Sequence, residues 1–139
     1  MEQQEVKKSV ENILNNSTGT MATVKTNKPH SRYMTFFNDN LKLYTATSKE
    51  TDKTEEIDQN PYTHILLGYD GEGFGDSYVE YLGKVTIKND ESLKKDLWNE
   101  HMEHWFNGPE DPNFIVLEIT PVEIRLMNKR GKTPATLEL

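Results

Sequence analysis

A succession of short strand patterns joined by tight turns constrains the fold of this chain most. Residues 20–27 alternate in the manner of a half-buried strand, and an Asn-Lys-Pro turn signal at 27–29 leads into a second such segment at 30–38. The turn residues 39–40 then lead into a third segment at 41–47. Strands connected this closely predict an antiparallel meander rather than a βαβ unit.

The rest of the chain adds further strands and a few helices. Apolar periodicity predicts helices at residues 2–16, 52–59 and 91–106, and strands at 63–70, 77–89 and 114–128, with a bulge or bend at Gly83. About six antiparallel strands at short spacing predict a mainly β (α+β) fold, a barrel with flanking helices. With 139 residues, the chain is expected to form a single domain over 1–139, with 125–139 as a mobile tail.

Composition restricts the classes of protein to consider. Cysteine is absent, which excludes disulfides and thiolate metal sites and favours a reducing interior. Neither a signal peptide nor a run of about 20 apolar residues is present, so a cytoplasmic protein without membrane contact is expected. The net charge of −7 argues against a general nucleic-acid binder. Hydrophobic residues make up only 34%, so an oligomeric interface is expected to supplement the core.

Two patterns that suggest a site have ordinary explanations. The segment GEGFG at 71–75 is similar to a dinucleotide fingerprint, but no βαβ unit surrounds it, and a hairpin turn is the preferred interpretation. His101 and His104 are three residues apart on a predicted helix, as metal ligands can be, but the other histidines lie far away in sequence. No metal site is therefore predicted, and no G-x-S-x-G elbow or thiol marks a nucleophile.

Three other residues admit both a structural and a functional interpretation. Trp105 and Phe106 end the predicted 91–106 helix, where core packing is usual but a flat cofactor or a subunit interface also favours aromatic side chains. Arg32 lies in the middle of a strand pattern, where an isolated arginine is usually a solvated edge residue.

The segment TSKETDKTEEIDQNP, residues 47–61, holds the most informative single residue. Asp52 and Glu55 fit a variant of the helix capping box, which accounts for the acids at the start of this helix. Capping does not account for Lys53 in the first turn. Because the unpaired N–H groups of a helix start bind anions, Lys53 indicates either an unusual polar helix start or a phosphate site.

Four segments, taken in order, resemble one known family. They are GTMATVKTNKPHSRYMTFF, LYTATSKETDKTEEIDQNP, YVEYLGKVTI and WFNGPEDPNFIVLEITP. Over about residues 5–125 they resemble the pyridoxamine 5'-phosphate oxidase family of FMN-binding split-barrel proteins, and within it the bacterial general stress protein type. The resemblance implies a split β-barrel that binds FMN, with FAD as the alternative flavin, at the interface of a homodimer.

The resemblance also implies which residues contact the flavin. The strand along the flavin would contribute Arg32, Tyr33, Met34 and Thr35, and the strand end that faces the flavin would contribute Thr45, Ala46 and Thr47. Lys53, with the nearby hydroxyl of Thr51, would bind the phosphate. Trp105, the aromatic residue of the W-F-x-G segment, would lie near the cofactor.

The chain departs from the oxidases in two places. Asp52 stands where they carry an arginine before the phosphate lysine, and the C-terminal segment IRLMNKRGKTPATLEL has no tryptophan. Pyridoxamine phosphate oxidase activity itself is therefore not expected. The expected function is that of an FMN-binding general stress protein, either a flavin-dependent oxidoreductase of unidentified substrate or a non-catalytic flavin-binding or flavin-sensing module. A dimeric scaffold without cofactor is the third hypothesis.

Overall fold

The computed structural model describes residues 2–15, 18–49, 52–69, 77–128 and 134–139, with the side chains of 52–54 outside that description. The elements run in chain order as α1 (Gln3–Leu14), β1 (Thr18–Lys25), β2 (Lys28–Thr35), β3 (Phe37–Asp39), β4 (Lys42–Ser48), α2 (Asp52–Gln59), β5 (Tyr62–Leu67), β6 (Tyr78–Lys88), α3 (Glu91–Leu97), a 3-10 helix (Glu100–His104), β7 (Phe114–Met127) and β8 (Ala135–Leu137). The predicted turn at 71–76 lies outside the described residues.

One antiparallel sheet contains the strands and closes on itself. Its order is β2-β1-β5-β6-β7-β4-β3, and β8 pairs with residues 124–126 of β7 on the edge opposite β6, beyond the part that pairs with β4. Strands β2 and β3 stand at opposite ends of this order, yet Phe36 alone separates them in sequence. The sheet must therefore curl until its ends meet, and the Thr45 hydroxyl donates a hydrogen bond of 2.7 Å to the Thr35 carbonyl where they do. We call this line between β2 and β4 the seam.

The predicted barrel is thus confirmed, while the predicted meander is wrong. β1 pairs with β2 and β3 pairs with β4, as tight turns require. However, β2 and β4 are not neighbours in the order of paired strands. The chain turns at Phe36, and β3 and β4 join the other end of the sheet, where β4 pairs with β7. The buried ring of Phe36, which is 0% exposed, anchors this corner in the core.

The main core fills the inside of the curled sheet. Alternate residues of the strands point inward, and the apolar stripe of α1 covers one side. Tyr81 is the largest fully buried side chain, and its hydroxyl donates to the Leu41 carbonyl at 2.6 Å. Burial raises the pKa of this hydroxyl, so it stays a hydrogen-bond donor.

The long strands β6 and β7 bend at Gly83, as predicted. The register between them shifts between Leu82 and Gly83, and Gly83 pairs with Pro121 across the ladder. A bulge accommodates a proline because one residue there makes no ladder hydrogen bond, so the missing backbone N–H of proline costs little. Residues 114–127 therefore form one continuous strand instead of two.

The predicted helix at 91–106 is wrong in its middle. α3 ends at Leu97, and Trp98 adopts an extended conformation with ψ of 135°. The Asn99 side chain then accepts a hydrogen bond from the His101 N–H and starts a new 3-10 helix. A side chain that caps so readily competes with helix continuation, which explains the break.

A short C-terminal strand extends the sheet where the sequence pattern predicts no element. β8 pairs with β7, and Gln3 of α1 holds it from the other side. The Gln3 side chain donates to the Thr136 carbonyl at 3.0 Å and accepts from the Glu138 N–H at 2.7 Å. In the part of the chain that the structure describes, no helix is long and apolar enough to cross a membrane.

Candidate functional site

A cavity of about 880 Å³ opens at the seam. Its volume lies within the range of roughly 300–1,000 Å³ that small-molecule sites occupy. One wall comes from the end of β2, the start of β3 and the end of β4, and the opposite wall comes from the 3-10 helix and the residues flanking it. The lining residues are Tyr33, Met34, Thr35, Phe37, Thr45, Ala46, Thr47, Ser48, Asn99, His101, Met102, Trp105 and Phe106.

The curl brings most of the predicted site residues to this one cavity. They come from β2, from β4 and from the segment after the 3-10 helix, which adjoin only once the sheet is closed. The predicted residues in the lining are Tyr33, Met34, Thr35, Thr45, Ala46, Thr47 and Trp105.

Three predicted residues are not among the described residues that line the cavity. The Arg32 side chain is turned toward α2 and β1, where it contacts Glu56 and Thr23 and does not line the cavity. Lys53 lies in the first turn of α2, and its side chain is outside the described residues. Thr51 is also outside them. The assignment of these three residues to a flavin therefore stays a prediction.

The 3-10 helix and the residues flanking it supply lining residues that were not assigned to the flavin, although His101 was weighed as a metal ligand and Phe106 as an aromatic neighbour of a cofactor. Asn99, His101, Met102 and Phe106 reach the cavity because Asn99 breaks the predicted helix and redirects the chain. The capping asparagine was the available signal for this break. His104 instead places its ring 5.8 Å from the ring of Trp105. Among the described residues, no group of three or more His, Cys, Asp or Glu side chains could hold a metal ion.

A second, small core holds the 3-10 helix and its flanking residues against β7. Phe114 and Val116 of β7 pack with Met102, and the Phe114 ring lies 5.1 Å from that of Phe106. Asp111 fixes the loop before β7, because its carboxylate accepts N–H bonds of 2.9 Å from Asn107 and Asn113. These backbone hydrogen bonds hold the pKa of Asp111 below its ordinary value.

The chemistry of the lining favours a flat, largely uncharged group. Aromatic rings and methionines are accompanied by hydroxyls, and Lys, Arg, Asp and Glu are absent from the lining residues that the structure describes. Such a surface suits a ring system with hydrogen-bonding edges. Ser48 ends the described lining on the β4 side, and the chain continues from there to α2.

A buried charge cluster lies at the opposite side of β2. Glu56 of α2 is only 1% exposed, and one of its carboxylate oxygens accepts from the Thr23 hydroxyl and from Arg32 Nη2, the latter at 3.2 Å. Arg32 Nη1 also donates to Thr23 Oγ1 at 2.8 Å. His30 Nδ1 lies 3.2 Å from the other carboxylate oxygen, which accepts no hydrogen bond from the residues that the structure describes.

These contacts shift the titration of Glu56. Burial raises the pKa of its carboxyl, while the Thr23 hydroxyl, the Arg32 guanidinium and His30 lower it, and the net shift is to below the ordinary value of 4.5. A carboxyl with a lowered folded-state pKa stabilises the fold above its unfolded-state pKa, and this contribution is lost as the pH falls through the folded-state value.

We expect acid to remove this contribution below a pH of about 4.5. The Glu56→Gln variant, which cannot ionise there, should lose less free energy of unfolding between about pH 5 and pH 3 than the unsubstituted chain. Urea unfolding of both proteins across that range measures the difference. Parallel pH profiles would contradict the assignment.

Comparison with known proteins now identifies the family. A sequence profile of the pyridoxamine 5'-phosphate oxidase family matches residues 5–128, almost the whole length of the described barrel. The chain belongs to this family. Within the family it is 56% identical over 140 residues to General stress protein 26 of Bacillus subtilis (strain 168), and the match covers 100% of both chains.

Solved structures of the family and its relatives share the fold. General Stress Protein 26 from Bacillus anthracis superposes with a TM-score of 0.86 at 34% identity, over 97% of this chain and 99% of the other. A pyridoxamine 5'-phosphate oxidase-related, FMN binding protein from Nostoc punctiforme superposes with a TM-score of 0.68, over 96% of this chain and 86% of the other. At 16% identity, this comparison supports a shared fold and nothing beyond it. The predicted family and the split-barrel fold are confirmed.

Proposed function

We propose that this chain is an FMN-binding general stress protein whose flavin sites form at a homodimer interface. The observation that carries the proposal is the cavity at the seam. Two strand segments and an aromatic residue that the family resemblance assigns to the flavin line this single cavity. The Nostoc protein of the same fold, which is named for FMN binding, supports the choice of ligand.

The ring system of the flavin would occupy the cavity. Tyr33 to Thr35 and Thr45 to Thr47 offer backbone and hydroxyl groups along one wall, while Trp105 and Phe106 offer aromatic surface on the other. Bound there, FMN would supply redox chemistry, and the protein would orient it and set its electrostatic surroundings.

The phosphate of the flavin would lie at the first turn of α2. Ser48 lines the cavity at the end of β4, and α2 begins four residues later at Asp52, so this helix start is the next element along the chain from the cavity wall. The unpaired N–H groups of a helix start and the positive end of its dipole favour a phosphate. Lys53 lies in this turn and would add a cation.

The exposed face of the sheet supports a homodimer. Tyr33 is 83% exposed and Trp105 is 74% exposed at the cavity, which leaves large aromatic surfaces in water. Tyr33 and Leu66 both pair with Thr20, so they share one face of the sheet. Leu66 and Tyr62 are also exposed, at 40% and 51%. A second copy of the chain that covers this face would bury these side chains and complete the cavity.

Two functions remain compatible with such a site. A flavin-dependent oxidoreductase in the cytoplasm is favoured by the exposure of Tyr33 and Trp105 at the cavity, which leaves its aromatic rim accessible from solvent. A non-catalytic module that stores or senses flavin is the alternative, because His101 and Tyr33 are the proton-transfer groups in the described lining, and the described contacts pair neither with a second such group in the cavity.

The test is a visible spectrum of freshly purified protein, followed by titration of the stripped protein with FMN, FAD and riboflavin. Binding of FMN in preference to riboflavin, with one flavin per chain in a dimeric species by sedimentation, is the expected result. Absence of flavin absorbance together with no binding on titration would refute the proposal. Reduction of the bound flavin by nicotinamide nucleotides would then favour the oxidoreductase over the binding module.

A further inference from the structure

The carboxylate of Glu56 is buried where most helices of this kind would place an apolar side chain against the sheet. Burying a carboxylate costs free energy that an ion pair offsets only in part, and an apolar side chain at such a position is often equally stable. Glu56 makes its hydrogen bonds through one oxygen, and the described neighbour of the other oxygen is His30. Besides its contribution to stability, this arrangement fixes the orientation of the groups that donate to the carboxylate.

The neighbour that Glu56 orients is Arg32. Its guanidinium donates from Nη2 to Glu56 and from Nη1 to Thr23, and Thr23 in turn donates to Glu56, so three side chains from α2, β1 and β2 form a closed triangle. A guanidinium carries five N–H donors, of which the triangle uses two. The Arg32 side chain is 24% exposed, so the triangle fixes its planar group without enclosing the side chain completely.

The position of this triangle connects the cavity with α2. Arg32 directly precedes Tyr33, the first cavity residue of β2. Glu56 lies three residues after Lys53, which corresponds to about 4.5 Å along the axis of α2. A ligand with its ring in the cavity and its phosphate at the first turn of α2 would therefore pass close to Arg32.

We infer that Glu56 and Thr23 are positioning residues that hold Arg32 as the second cation for the phosphate of the bound flavin. This inference rests on the proposed function. Its consequence is selectivity, because a fixed cation next to the phosphate favours FMN over riboflavin, which shares the ring but lacks the phosphate. A structural role of Glu56 in joining α2 to the sheet would instead affect both flavins alike.

The Glu56→Gln variant tests the inference. Replacing a charge-assisted hydrogen bond with a neutral one should weaken FMN binding roughly five- to tenfold, while riboflavin binding stays within about twofold. Glu55→Gln is the matched control, since Glu55 is the exposed neighbour on the same helix and loses the same charge. The control should not weaken FMN binding. Quenching of flavin fluorescence measures all the dissociation constants.

A double-mutant cycle with Arg32→Gln separates positioning from other effects. If Glu56 acts through Arg32, Glu56→Gln should cause no further loss of FMN affinity once Arg32 is replaced. An equal loss for both flavins, tighter FMN binding in Glu56→Gln, or the same loss in the Arg32→Gln background would overturn the inference. Should Glu56→Gln fail to fold, Thr23→Val removes the hydroxyl of the triangle and is expected to change the same ratio of affinities.

The outcome for the unsubstituted chain distinguishes the two proposals. If it binds neither FMN nor riboflavin, the proposed function fails and the positioning of Arg32 has no ligand to serve. If it binds FMN tightly and the ratio of FMN to riboflavin affinity is the same in Glu56→Gln, only the role of Glu56 fails.

Discussion

The Gly19→Ala variant should lose on the order of 3 kcal/mol of unfolding free energy, a large effect for a single methyl group. A Cβ at position 19 would lie 2.3 Å from the Leu66 carbonyl oxygen and 2.6 Å from a methyl carbon of Leu67. The first of these contacts is with backbone inside a paired strand, so a simple change of rotamer cannot relieve it. Thermal unfolding at fixed protein concentration should show a drop in melting temperature of roughly 10 °C.

Two comparison variants make this result specific. In Gly83→Ala the new methyl group would meet Ile119 at 2.5 Å and Tyr81 at 2.9 Å, both through side-chain atoms, so a smaller loss is expected. Thr18→Ala, on the exposed neighbour of Gly19 in the same strand, should change stability by less than about 0.5 kcal/mol. A Gly19→Ala protein as stable as Thr18→Ala would show that β1 and β5 do not approach as closely as described.

The Lys53→Ala variant should weaken FMN binding roughly ten- to a hundredfold, which corresponds to about 1.5–3 kcal/mol for one charge-assisted contact. The physical reason is its place in the first turn of α2, where the helix dipole and the free N–H groups already favour an anion. Titration of stripped protein with FMN measures the loss, and riboflavin binding should be unchanged because riboflavin has no phosphate.

A matched control is available on another helix. Lys95 of α3 is exposed and lies outside the cavity lining, so Lys95→Ala removes the same charge without touching the site. It should leave FMN affinity within about twofold, since exposed charges farther away than a Debye length are screened. Equal affinities for FMN in the Lys53 and Lys95 variants would remove Lys53 from the phosphate site.

The strands were largely predictable because their signal is local. Alternation in β1 and the turn residues after it depend only on neighbouring side chains, and the Gly83 bulge depends on one residue type. The pairing of strands was not predictable in the same way. The turn at Phe36, which sends β3 to the far end of the sheet, involves no glycine or proline, and the closure that it produces depends on contacts distant in sequence.

The candidate site was predictable on one wall and in part on the other. Tyr33 to Thr35, Thr45 to Thr47 and Trp105 came from an ordered resemblance along the chain, and the structure places them at one cavity. The rest of the second wall was missed because helical periodicity continues past Leu97, and a single capping side chain, that of Asn99, overrides it. Glu56 was missed because its neighbour Glu55 explained the helix start, while its partners Thr23 and Arg32 lie on other strands.

The joining of the sheet ends at Phe36 has a consequence for cooperativity. The two strands that bound the cavity on one side are close in sequence, but within the sheet they are separated by β1, β5, β6 and β7. A molecule bound at the seam therefore contacts both ends of the same curled sheet, and opening any of the intervening strand pairs lets those ends part. Ligand binding should consequently slow amide hydrogen exchange in strands that it never touches, such as β5 and β6, by about as much as it raises global stability.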